Sequence, residues 1–98
     1  MGRQEILERL RQHEHALRSR GVVHIALFGS RARGDQRTDS DTDILVEFDP
    51  GARITVYDLV GVREEIGALI GGPVDVIDRE GLKPRLIASV EQDALYAF

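Results

Sequence analysis

Apolar residues recur every three or four positions between residues 3 and 19, at Ile6, Leu7, Leu10 and Leu17, with His13 on the same stripe. That spacing predicts one amphipathic helix with a single buried face, and Gly21 supplies its stop. The period then changes. Val22–Phe28 is a compact run of β-branched and bulky apolar residues interrupted by His24, and it ends at Gly29: a buried strand running into a Gly-Ser turn, with a short helix starting just after Ser30. Residues 41–48 alternate instead, placing Asp41, Asp43, Leu45 and Glu47 on one face of a second strand and Thr42, Ile44, Val46 and Phe48 on the other. Asp49-Pro50-Gly51 reads as a turn. Helical spacing returns over Val56–Ile70 through Leu59, Val62, Ile66, Leu69 and Ile70, and Gly71-Gly72 ends it. Pro73 opens a third strand, residues 74–77, with Val74 and Val76 towards the core and Asp75 on the opposite face. A last helix is expected near residues 84–92, followed by Leu95, Tyr96 and Phe98 closing the core or meeting a partner.

This order predicts an α/β (α+β) sandwich built on a three- or four-stranded sheet. With 98 residues the chain is expected to be one domain, 1–98, near the small end of what buries a self-sufficient core. Composition adds exclusions rather than positive identity. With 42% hydrophobic and 31% charged residues, neither disorder nor a membrane span is indicated. The charged N-terminus is unlike an apolar targeting segment, so the expected location is the cytoplasm. The absence of cysteine excludes a disulfide framework, a thiolate zinc site and cysteine nucleophilic catalysis. A net charge of -4 and a pI near 5.3 argue against binding a nucleic-acid backbone, an affinity that comes mainly from Lys and Arg contacts with phosphates. Arg31, Arg33 and Arg37 nevertheless place three cations beside an acidic cluster, which suits one polyphosphate better than a long polyanion.

The candidate chemistry lies in residues 29–43. Gly29 lets a backbone approach phosphate without a Cβ in the way, and Ser30 offers a hydroxyl at the mouth of a helix. Asp41 and Asp43, at i and i+2 on one strand face, offer oxygen ligands to a divalent metal such as magnesium, which takes few carboxylates and fills its remaining positions with phosphate oxygens and water. Asp75 completes the cluster if the third strand lies beside the second, and could act as base towards an attacking hydroxyl. Arg31 or Arg33 would add positive charge at a leaving pyrophosphate, with only one of the two expected to face inward. Taken alone, an Asp-x-Asp is more often a solvated strand start, and the Gly-Ser upstream tips it towards function; Asp75 alone is as readily an ordinary exposed strand residue as a ligand, and its candidacy rests on strand adjacency. Two other motifs fail. A calcium loop starting at Asp39 would need Gly and Glu where Ile44 and Pro50 stand, and no Gly-Lys-Ser/Thr of a phosphate loop follows the glycines. Glu47 lies about 13 Å along the strand from Asp43, too far to share a metal. His13 reads as a core or boundary residue, and His15 and His24 carry little catalytic weight.

The run Gly29-Ser30-Arg31-Ala32-Arg33-Gly34 followed by Ser40-Asp41-Thr42-Asp43 resembles the signature of the DNA polymerase β-like nucleotidyltransferase superfamily. The short length and the Ala32-Arg33-Gly34 continuation resemble its minimal nucleotidyltransferases, the MNT-type antitoxins paired with HEPN toxins. The resemblance implies a small mixed sheet packed with helices. It also implies phosphate binding by Gly29 and Ser30, magnesium binding by Asp41, Asp43 and Asp75, and transfer of AMP from ATP onto a HEPN ribonuclease toxin. The larger enzymes of the superfamily carry a further domain that holds the acceptor; without one, the acceptor surface is expected from a partner protein or a second copy in a homo-oligomer. The alternatives are an antitoxin that binds without catalysis and a nucleotidyltransferase acting on a small molecule.

Overall fold

The computed structural model describes residues 1–34 and 41–98. Along the chain these form α1 (Arg3–Gln12), α2 (Glu14–Ser19), β1 (Val22–Phe28), α3 (Ser30–Arg33), β2 (Thr42–Phe48), α4 (Val56–Ile70) and β3 (Val74–Asp78). A 3-10 turn (Arg79–Gly81), α5 (Pro84–Asp93) and β4 (Leu95–Tyr96) follow. The strands form one mixed sheet in the order β3-β2-β1-β4. β1 pairs antiparallel with both β2 and β4, whereas β2 and β3 run parallel. A parallel pair needs a long crossover, and α4 supplies it.

Helices α1, α2 and α4 cover one face of the sheet. Ile6, Leu10 and Leu17 from the first two, and Val62 and Ile66 from α4, form one buried cluster with Ile25, Leu27, Ile44, Val46 and Val76 from the strands. Arginine side chains tie the layers where that cluster ends: Arg9 donates to the Leu69 carbonyl at 2.8 Å and Arg63 to the Val76 carbonyl at 3.2 Å. α4 starts from a reciprocal cap in which the Asp58 N–H donates to Thr55 Oγ1 and the Thr55 N–H to Asp58 Oδ2. No described helix is long and apolar enough to cross a membrane.

The structure departs from the sequence expectations in four places. The predicted first helix is two. At His13 (φ -105°, ψ 15°) the backbone N–H turns to the Leu10 carbonyl, while the ring Nδ1 stands 3.1 Å from the Arg9 carbonyl that the N–H would otherwise use. A side chain has displaced the helical bond, yet Leu17 stays buried because it lies seven residues beyond Leu10. Second, β2 begins at Thr42, not Asp41. The Thr42 N–H donates to the Pro73 carbonyl at 2.9 Å, but Pro73 has no N–H with which to carry the ladder further. Third, Leu45 is 3% exposed although it shares its face with Asp43 and Glu47. α5 packs on β1 on that side, so the polar face carries a small apolar patch, Leu45 with Ala26, between its two ends. Fourth, residues 95 and 96 form a short edge strand beside β1 that periodicity could not reveal. Ala97 behind it is buried in the core and Arg11 donates to its carbonyl at 2.9 Å, while Tyr96 remains exposed.

Candidate active site

Strand register assembles the site. The last residue of β1, Phe28, pairs with Asp43, and Asp43 pairs on its other side with Asp75 of the parallel β3. Adjacent strands lie about 4.8 Å apart. Two carboxylates thus stand side by side on one face, next to the point where β1 turns into Gly29. That glycine takes φ 73°, ψ -154°, a combination open essentially to glycine alone. A Cβ at this position would run into Asp43 Oδ2. The empty space beside Gly29 and the carboxylate of Asp43 are two sides of one cradle.

Ser30 begins α3, a single turn closed by the Arg33 N–H on the Gly29 carbonyl at 3.1 Å. So short a helix has little macrodipole; what it offers an anion is the Ser30 N–H and hydroxyl at its mouth. α3 is held from outside. Arg3 of α1 donates to the Ala32 carbonyl at 2.9 Å, and Arg33 pairs with Asp93 of α5 at 3.0 Å. Neither Arg3 nor Asp93 was singled out by the sequence, and no local pattern marks them, because their partners lie 29 and 60 residues away. Arg3→Ala is expected to cost about 1 kcal/mol in urea denaturation and to raise KM for the nucleotide more than it lowers kcat, since it loosens the turn without touching the carboxylates.

Electrostatics single out Asp43. Its pKa is raised, first by partial burial and then by the negative charges of Asp75 and Asp41, with Arg33 opposing. The charge of Arg33 thus reaches Asp43, and Arg31 donates to the Met1 carbonyl at 3.4 Å. Asp41 sits exposed just before β2, close enough for Asp43 to feel its charge. Among the described residues no three metal-capable side chains already form a coordination set. The donor set nonetheless fits a hard divalent ion: two carboxylates in register, a third adjacent, and mutual repulsion that a cation would relieve. Glu47 lies at the far end of β2, where Arg79 stands 3.7 Å away. Exposed His24 meets Tyr96 edge to face at 6.2 Å, half-buried His13 lies at the junction of α1 and α2, and exposed His15 lies on α2, so no histidine joins the carboxylates. Arg37, Asp39 and Ser40 fall outside the described residues.

A family model described as Nucleotidyltransferase domain matches residues 5–97. The chain belongs to this family. Its relatives include a Methanocaldococcus jannaschii chain that carries the name protein adenylyltransferase, 38% identical over 94% of both chains. The protein adenylyltransferase MntA of Thermococcus cleftensis is 35% identical, over 95% of this chain and 93% of that one. Among solved structures, a minimal nucleotidyltransferase superposes with a TM-score of 0.72 at 37% identity, over 97% of this chain and 95% of the other. The MNT antitoxin complex with a tri-AMPylated HEPN toxin from Shewanella oneidensis gives a TM-score of 0.66 over 95% of this chain and 71% of that one. At 17% identity that last likeness carries the fold alone. The nucleotidyltransferase is thus an enzyme of the protein adenylyltransferase group, with the mixed sheet and flanking helices of the minimal fold.

Proposed function

We propose that this nucleotidyltransferase moves AMP from magnesium-bound ATP to a hydroxyl of a partner protein, and that the partner is a HEPN-type toxin which the transfer silences. The observation that carries the reading is the register of Asp43 with Asp75 next to the glycine cradle and Ser30. Magnesium held by Asp41, Asp43 and Asp75 would supply bridging of phosphate oxygens and neutralisation of developing charge. Gly29 and Ser30 seat the phosphates, and Arg33 adds positive charge on the side of the leaving pyrophosphate. The acceptor oxygen bonds to the α-phosphorus, the α–β bridging bond breaks, and pyrophosphate leaves. Asp75, exposed on the outer strand, receives the hydroxyl proton. The toxin as acceptor is supported by the MntA name of a relative spanning nearly the whole chain and by the fold shared with the antitoxin of an AMPylated HEPN complex.

The test is incubation of the purified protein with α-phosphate-labelled ATP, magnesium and a lysate of the source organism, beside the Asp41→Ala/Asp43→Ala variant. Label on a discrete protein band that disappears with the variant is expected. Label recovered on a small molecule would redirect the acceptor class. A variant that silences the partner as well as wild type does would replace catalysis by binding alone.

A further inference from the structure

A groove of about 500 Å³ lies at the opposite end of the sheet from Gly29, between the turn after β2, the start of α4 and the 3-10 turn after β3. Its lining includes apolar Phe48, Ile54 and Leu59, and acidic Glu47, Asp49 and Glu80. Asp78 adds a fourth carboxylate, and the cation among them, Arg79, pairs with Glu91 at 2.8 Å and more loosely with Glu47 at 3.7 Å. Asp49 and Asp78 each accept a backbone N–H, from Gly51 at 2.9 Å and Glu80 at 3.0 Å, which fixes their direction while leaving their charge.

The apolar lining continues onto open surface. At about 3.6 residues per turn, Leu59, Val56, Val60 and Tyr57 follow one another round the first turns of α4. Three of these are large and exposed: Val56 at 74%, Val60 at 41% and Tyr57 at 87%. Folding gains nothing from leaving such side chains in water, and a contiguous apolar strip with a polar rim is the pattern of a protein contact.

We infer that this groove and the exposed face of α4 are a docking surface for a basic, amphipathic segment of a partner protein. The acidic rim selects the charge of the occupant. It also disfavours a second copy of this chain: a twofold contact through the same patch would bring two acidic rims together. Four strand rises along β2 separate Asp43 from Glu47, about 13 Å, so a partner anchored here keeps its acceptor near the carboxylates at raised effective concentration. That the partner is also the acceptor rests on the proposed function; the docking does not.

The experiment uses the full-length protein and two fluorescent helical peptides, one of Lys and Leu and one of Glu and Leu at equal amphipathicity. Binding is read by anisotropy and by amide shifts in NMR spectra, with Mg-ATP binding measured in parallel. The Lys/Leu peptide is expected to bind saturably, with shifts on Val56, Tyr57, Val60 and Glu80, and the Glu/Leu peptide not to bind. Tyr57→Ser should weaken binding roughly tenfold or more and Glu80→Lys several-fold, with salt sensitivity reduced. Both variants should bind Mg-ATP as wild type does. Equal binding of the two peptides, variants indistinguishable from wild type, shifts elsewhere, or self-association abolished by Tyr57→Ser would each overturn the inference. Failure of wild type to bind Mg-ATP would sink the proposed function and leave the docking surface standing.

Discussion

Asp43→Asn is expected to lose nucleotidyl transfer by at least about a hundredfold, because several kcal/mol of charge stabilisation depend on the metal it would hold. The same variant should be more stable than wild type when metal is absent. The sign follows from the raised pKa of Asp43, caused by burial and then by Asp75 and Asp41. A carboxyl whose pKa is higher folded than unfolded retains its proton longer in the folded state. Stability is therefore lost as pH rises from the ordinary carboxylate value through the raised one. Asn removes the repelled charge. In EDTA at pH 7 the variant should melt above wild type, and added magnesium should raise the Tm of wild type alone. Retained transfer, or a lower Tm in EDTA, would show that Asp43 is a structural carboxylate.

Gly29→Ala should fail in both respects at once. The backbone at φ 73°, ψ -154° costs a residue with a Cβ on the order of 1–3 kcal/mol, and the new methyl would run into Asp43 Oδ2. Either the strand end shifts or the carboxylate is pushed from its place beside Asp75, and a displacement of about 1 Å at a reacting centre costs roughly a hundredfold in rate. Thermal melting and the labelled-ATP assay check the two halves. Ser30→Ala is the contrast: it removes a hydroxyl at the same turn without backbone strain, so it should leave Tm near wild type while raising KM for the nucleotide. A Gly29→Ala protein with wild-type activity would show that the cradle is not used.

Much of this was legible in the chain. The boundaries of Val22–Phe28 and Val56–Ile70 agree with the structure because each is long, strongly patterned and bounded by glycine or a cap. Asp43 and Asp75 were placed on the open face by alternation alone, and register made them neighbours. The break at His13 was hidden because a ring nitrogen competing for one carbonyl leaves the apolar stripe intact. The β4 strand is two residues long and exists only through its pairing with β1.

The sequence by itself determined the longer elements, their faces and the identity of the chemical groups, since periodicity, β-branching and glycine act over a few neighbouring residues. The tertiary structure alone decided that Asp41 lies just outside the ladder that holds Asp43 and that the charge of Arg33 reaches Asp43. It alone decided, too, that Arg3 and Asp93 steady the turn between them. These outcomes depend on which distant segments meet when the core closes, and no local pattern along the chain encodes a contact made tens of residues away.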